Sequence, residues 1–261
     1  MPGFPSAYDP DSLDRRNPAF IERAMPTLEW FNARYFRLRH EPGGPLPAGP
    51  VVFVGNHNGG IMGPDLACTL AVLWRTLGPA SPLYALAHDF AMRQLTPLGR
   101  VLQQVGAIRA SRANAERVLG RGGQILVYPG GDLDAYRSFK RRNEICILPR
   151  DGFARLARDT GAPIVPIVAE GAHRSAYIFS EGERVARLLR LQRWARLERF
   201  PLAAALPWGL AAGPWLPYMP LPFPIQLRTL PAVRVSKDED PTAAATAIQA
   251  SMQRALDEMA S

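Results

Sequence analysis

The chain has 261 residues, 47% hydrophobic and 21% charged, which excludes a disordered chain and fits one large domain or two small ones. A net charge of +8, with a pI of about 10.1, calls for an anionic partner: nucleic acid, an acidic membrane surface or a phosphorylated ligand. Nucleic-acid binding has charge alone behind it, with no recognition motif, and is not expected. Cys68 and Cys146 form no metal-binding pattern and read as buried thiols of a reducing compartment; no metal is expected. Met1 to Arg16 lacks the apolar core of a signal peptide, so export is not expected.

In chain order, Met1 to Pro18 reads as a loose arm. Ala19 to Arg39 reads as one or two helices broken at Pro26, with Trp30, Phe31, Tyr35 and Phe36 set against Arg34, Arg37 and Arg39. Such a surface either lies on lipid or packs its aromatics on the domain. Pro42 to Pro50 is a linker. Val51 to Val54 reads as a short buried strand, followed by the turn-rich run Gly55-Asn56-His57-Asn58-Gly59-Gly60. Asp65 is placed as the N-cap of an apolar helix to about Leu77. Leu83 to Ala87, Gln124 to Tyr128 and Pro163 to Val168 read as strands, and Ala107-Ile108 as a brief extended piece. Helices are expected from Ser111 to Leu119, capped by Ser111, and from Asp151 to Thr160, capped by Asp151 and stopped by Gly161.

Strands and helices alternating on this spacing predict an α/β fold, a largely parallel central sheet flanked by helices, with ligands gathered at strand ends. Two later stretches differ. Glu183 to Arg199 is helix-like, with arginines at every third position from Arg184 to Arg199; that spacing drifts round a helix axis and makes no clean stripe. It is either a membrane-contacting or a solvated outer helix. Phe200 to Leu227 carries no charge, yet its prolines forbid a membrane-spanning helix. This apolar Pro-rich segment either covers the domain or dips Trp208, Trp215, Tyr218 and Phe223 into a headgroup layer. Ile225 to Leu230 and Ala232 to Val235 read as closing strands, and Pro241 to Met259 as a final amphipathic helix. The division expected is an N-terminal arm with interfacial helices over 1–49 and an α/β domain over 50–261.

Two constellations carry chemistry. His57, delivered at the end of a buried strand with Asp65 nearby, presents a general base whose tautomer a carboxylate would fix; the alternative is a loop histidine bonded to backbone. No G-x-S-x-G nucleophile completes a hydrolase triad. The second is Tyr128-Pro129-Gly130-Gly131 with Arg137, Lys140, Arg141 and Arg142 behind it. The glycines let backbone approach a ligand, and the cations suit a phosphate or polar head group; the alternative is a tight turn with a solvated basic run. It is not a P-loop. His88 with Asp89 and His173 with Arg174 are further polar pairs.

The ordered blocks Val54-Gly55-Asn56-His57-x-Gly59-Gly60, Tyr128-Pro129-Gly130-Gly131 and Pro163-Ile164-Val165-Pro166 resemble the glycerolipid acyltransferase superfamily, over roughly Val51 to Gly171. That superfamily includes lysophosphatidate acyltransferases and a monoacylglycerol/diacylglycerol acyltransferase-like branch. The resemblance implies transfer of a fatty acyl group from acyl-CoA or acyl-carrier protein, as co-substrate and without a cofactor, to a lysolipid or acylglycerol hydroxyl. His57 and Asp65 would be the catalytic pair; Asn56, Gly59, Gly60, Tyr128, Pro129, Gly130, Gly131, Arg137 and Lys140 would bind substrate. It further implies a cytoplasmic protein, peripheral on the inner face of a membrane. The rival reading is a non-catalytic lipid-binding protein on the same scaffold. Two departures stand out: the common pattern H-x-x-x-x-D meets Met62 where it wants aspartate, and Gly130 replaces the glutamate of F-P-E-G-x-R. Both lean towards the neutral-lipid branch.

Overall fold

The computed structural model describes residues 8–60, 63–89, 91–92, 96–195, 197–213 and 218–261. Its centre is β2 (Val51–Gly55), buried at every position. An unbroken run of this kind needs both faces covered, as in a parallel sheet. Five strands run parallel in the order β6 (Ile164–Glu170), β2, β5 (Gln124–Val127), β3 (Leu83–Ala87) and β4 (Ala107–Arg109). Beyond β6 lie β10 (Gln226–Thr229), antiparallel to it, and β1 (Arg39–Glu41), parallel to β10.

The strands' alternation assigns the faces. Val52, Val54, Ile125, Ile164 and Val168 pack under α4 (Arg112–Gly120), α6 (Gly152–Thr160) and α9 (Pro241–Ala260). Val51, Phe53, Leu126, Val165 and Ile167 pack under α1 (Pro18–Trp30) and α2 (Pro64–Leu77). Val54 pairs with both Val127 and Pro166. The carboxyl ends of β2 and β5 therefore finish side by side, while β6 runs on past them to Glu170, so that the loops after β2 and β5 lie against its end.

The predicted α/β architecture is the one observed, and several local expectations are corrected. The arm is tied down from Tyr8 onward: Leu13 is buried, Arg16 donates to Leu83 O, and Arg109 pairs with Asp11 at 2.7 Å. α1 runs through Pro26 and continues as a π-helical turn, Phe31–Tyr35. An interior proline costs about 3 kcal/mol. Burial of Ile21, with Met25 and Leu28 packed beside it, offsets that cost at about 1.5–3 kcal/mol for a full side chain. Asp65 is not the cap of α2 but lies inside its first turn, after Gly63. Asp151 does sit before α6, yet its carboxylate holds Arg155 and Thr242 instead of the helix amides. Residues 232–235 form only a single bridge, Val233 to Ile164. Cys68 is buried, but Cys146 only half so.

The arginine-rich stretch is two short helices, α7 (Glu183–Leu188) and α8 (Leu191–Trp194), broken where Arg190 adopts φ +50°. The uncharged stretch contributes β8 (Leu202–Ala205) and β9 (Gly209–Ala212), which join β7 (Tyr177–Ser180) in a second, antiparallel sheet. Tyr218 is buried, whereas Trp208 and Phe223 are exposed; Trp215 lies outside the described residues. Near the N-terminus, Phe36 packs on the domain while Trp30 and Phe31 face outward. Among the described residues no helix is long and apolar enough to cross a membrane.

Candidate active site

The loop after β2 is anchored before it turns. Asn56 Nδ2 donates to Ala169 O at 2.9 Å while its Oδ1 accepts from Ala169 N at 2.7 Å. Asn58 Nδ2 also donates to Ala169 O, at 3.0 Å. Both asparagines thus tie the loop to β6, and the Asn56 side chain is wholly buried. Between them, the His57 backbone N–H donates to Asp134 Oδ2 at 2.5 Å. The main chain at His57 is held from three sides before its imidazole does anything.

His57 Nδ1 meets Asp65 Oδ2 at 2.7 Å, and Asn58 N–H donates to the same oxygen at 3.2 Å. The chain can fold back this tightly because Gly59 and Gly60 take φ of +93° and +71°, where a Cβ is disfavoured. Gly63 then brings its backbone between the two partners. A methyl group there would stand 2.5 Å from His57 Cε1 and 2.8 Å from Asp65 Oδ1. Asp65 is wholly buried in the first turn of α2, where the helix dipole favours a carboxylate. With Asp65 on Nδ1, the proton sits on that nitrogen. Among the described residues Nε2 meets no hydrogen-bond partner, and the imidazole is 20% exposed. An imidazole held in this tautomer can accept a proton at Nε2 and share the resulting charge with the carboxylate.

The second block lies alongside. The Tyr128 ring lies 5.0 Å from the His57 ring, and burial pushes its phenol well above the ordinary range. Pro129 and Gly130 bend the chain into α5 (Gly131–Ala135), with Gly131 at φ +52°. Arg150 closes the turn from outside, donating to Gly130 O at 2.7 Å and to Pro129 O at 3.3 Å. Gly60 N–H donates to Ala135 O at 3.0 Å, and the Tyr218 hydroxyl donates to Gly59 O. The structure thus brings His57, Asp65, Gly59, Gly60, Tyr128 and the Pro-Gly-Gly turn together.

Arg137 and Lys140 are placed differently. Arg137 is buried and ion-paired to Asp134, and its Nε donates to Arg141 O at 3.2 Å. Burial pulls its guanidinium to about 10, still a cation at neutral pH. It braces the loop. Lys140 is exposed on the 3-10 turn Phe139–Arg141. Asp134, which sequence reasoning passed over, proves central: besides His57 and Arg137 it accepts from Cys146 N–H at 2.9 Å. Its only sequence signal was a carboxylate three residues beyond the Gly-Gly turn. His173, just after β6, is buried with both ring nitrogens unpartnered; desolvation, then neighbouring Arg174, Arg137 and Arg142, push its pKa down to about 3. Among the described residues no cluster of metal-ligating side chains occurs.

A parallel α/β sheet with a His–Asp pair at its central strand end, facing a Pro-Gly-Gly turn, defines a glycerolipid acyltransferase-type protein. The solved structure of the 1-acyl-sn-glycerophosphate acyltransferase PlsC from Thermotoga maritima shares this fold, with a TM-score of 0.53 at 13% identity, over 91% of this chain and 80% of that one. The diacylglycerol acyltransferase family model matches residues 14–259, and the chain belongs to that family. It is 29% identical, over 191 residues, to the uncharacterised proteins Rv0502 of Mycobacterium tuberculosis and Mb0514 of Mycobacterium bovis. Those matches cover 72% of this chain and 52% of each relative, so the chain spans about half the length of these relatives.

Proposed function

We propose that the protein is a membrane-surface O-acyltransferase that moves a fatty acyl group from an acyl thioester to a glycerolipid hydroxyl, with His57 as general base. The observation that carries the reading is the 2.7 Å contact between His57 Nδ1 and Asp65 Oδ2, with Nε2 unpartnered among the described residues. Nε2 takes the acceptor's hydroxyl proton as that oxygen attacks the thioester carbonyl carbon. The C–S bond breaks, and the leaving thiolate recovers the proton from His57. Asp65 stabilises the imidazolium in between, and no acyl-enzyme is required. Holding both reactants at one strand end supplies much of the acceleration.

A neutral acylglycerol is the favoured acceptor. Arg137, the first arginine after the Pro-Gly-Gly block along the chain, is spent on Asp134, and the family is that of diacylglycerol acyltransferases. Membrane contact is supported by exposed apolar side chains on α7 and the second sheet: Leu188 is 81% and Leu210 64% exposed, and Trp208 and Met219 are exposed as well. Exposed apolar patches mark interaction sites. The test is mass spectrometry of products from acyl-CoA with a panel of acylglycerols and lysolipids in vesicles. A new ester is expected, and His57→Ala should reduce its rate by at least about 10²-fold with the fold intact. Vesicle binding without any ester formed would instead identify a non-catalytic lipid-binding protein.

A further inference from the structure

Beside the Pro-Gly-Gly turn lies a cavity of about 460 Å³ to which the reaction above gives no task. Leu133 of α5 forms one wall, and α7, α8 and residues 197–199 form the others. Arg187, Arg190, Arg193 and Arg199 face it together with Glu183 and Glu198. Both glutamates are already engaged, Glu183 by Arg199 and Glu198 by Arg150. Arg187, Arg190 and Arg193 have no acidic partner among the described residues, whereas Arg155 holds one and Arg141 and Arg228 hold two each. Arg199 is itself 9% exposed, and its Nε is buried without a partner.

The backbone has been bent to make this gathering. In one continuous helix the whole run of arginines from Arg184 to Arg199 would drift around the axis. The left-handed turn at Arg190, φ +50°, ends α7 and restarts the chain as α8, so that Arg187, Arg190 and Arg193 share one concavity. A non-glycine residue in this region costs on the order of 1 kcal/mol or more. Several guanidiniums around a hollow match phosphate oxygens, which they bind in paired, charge-assisted hydrogen bonds.

We propose that this cavity is a phosphate pocket for the nucleotide end of an acyl-CoA donor, with Arg187, Arg190 and Arg193 as its ligands. The identity of the ligand rests on the acyl-transfer reading; the pocket itself does not. The pocket and the His57 loop share α5. Leu133 lines the cavity, Glu198 N–H donates to Asp132 Oδ2 at 2.5 Å, and Asp134 holds the His57 backbone. A nucleotide fixed here is linked to the His57 loop through α5, and binding energy gathered at the phosphates would position the reacting carbon. Coenzyme A offers a pyrophosphate and a 3′-phosphate. A carrier protein offers a single phosphodiester, so a pocket with this many cations selects the former.

The experiment titrates coenzyme A, and separately adenosine 3′,5′-bisphosphate, into the full chain by calorimetry at fixed salt. Both should bind, and the R187Q/R190Q/R193Q variant should weaken both by at least about 10-fold, with partial recovery in the corresponding triple lysine variant. The single exposed change Arg193→Glu should weaken them in the same direction, which keeps the test valid if the triple variant fails to fold. With acyl-CoA as substrate, KM for the donor should rise far more than kcat falls. Equal coenzyme A affinity in the wild type and the glutamine variant overturns the pocket, as does a wild-type chain that binds neither ligand. Loss of binding to phosphatidylglycerol vesicles with coenzyme A affinity unchanged overturns it too, and makes the arginines lipid-headgroup ligands. Arginine-dependent coenzyme A binding without acyl transfer to any acceptor leaves the pocket standing and removes the proposed function; acyl transfer with an unchanged donor KM does the reverse.

Discussion

The strand ends of the parallel sheet and the outer layer from Tyr177 to Phe223 are built on opposite terms. At the strand ends, Asn56, Asn58, Asp65 and Asp134 are buried and turn their polar atoms inward, on Ala169, His57 and Arg137. In the outer layer, Leu188, Trp208, Leu210 and Met219 are exposed, and among the described residues Arg187, Arg190 and Arg193 have no acid to pair with. Buried hydrogen bonds in a low-dielectric interior are strong and directional, so the first region fixes one geometry. Exposed apolar and cationic groups gain little from the chain that carries them, and on the proposed reading they are where lipid and donor would make contact. One region holds the chemistry still while the other is left open to ligands.

The contrast breaks most visibly at Asp134. Asp134→Ala strands a buried guanidinium and the amides of His57 and Cys146. A loss of about 3–5 kcal/mol is expected, read as a drop on the order of 10 °C in Tm. An unchanged melting point would show that the strand-end loops are held elsewhere. Gly63→Ala probes geometry alone. Its methyl group would meet His57 and Asp65, and turnover should fall on the order of 10²-fold with little change in Tm; wild-type turnover would mean that the His–Asp contact is dispensable.

His173 sharpens the comparison through pH. The unfolded chain takes up this proton near 6.5 and the folded chain only near 3, because the buried imidazole stays neutral. Its contribution to stability is therefore complete above pH 6.5 and is lost as pH falls from there towards 3, at up to about 1.4 kcal/mol per pH unit. In His173→Phe, denaturant midpoints should decline less steeply over that window; identical slopes would refute a neutral buried histidine. The smallest effect on folding is expected in the outer layer. Trp208→Ser with Leu210→Ser should change stability by no more than about 0.5 kcal/mol, while partitioning into lipid vesicles falls. Retained partitioning would move the membrane contact away from this sheet.

Much of the strand-end site was legible in the chain. The β-branched run at Val51 to Val54, the His57 loop and the Pro-Gly-Gly turn are local features, and each block announces its own backbone. Asp65 was visible as a carboxylate near a helix start, but its contact with His57 depends on how Gly59, Gly60 and Gly63 fold the loop. Asp134 and Arg150 gave weaker signals still, since an acid in a short helix and an arginine after a proline are common. Arg137 and Lys140 were drawn towards a ligand by charge alone. Burial gave Arg137 a structural duty instead, because a guanidinium inside the domain must be paired.

Composition and periodicity by themselves determined the α/β class, the central strand and the position of the histidine at its end, because hydrophobic spacing and turn residues act within a few residues of one another. Tertiary structure alone decided that Asp65 reaches His57, that Asp134 ties the two loops together, and that a drifting arginine repeat becomes one pocket. Each of these brings together groups that the spacing of residues along the chain leaves unspecified: a loop reversal, a pair of neighbouring strand ends, and a single left-handed residue at Arg190.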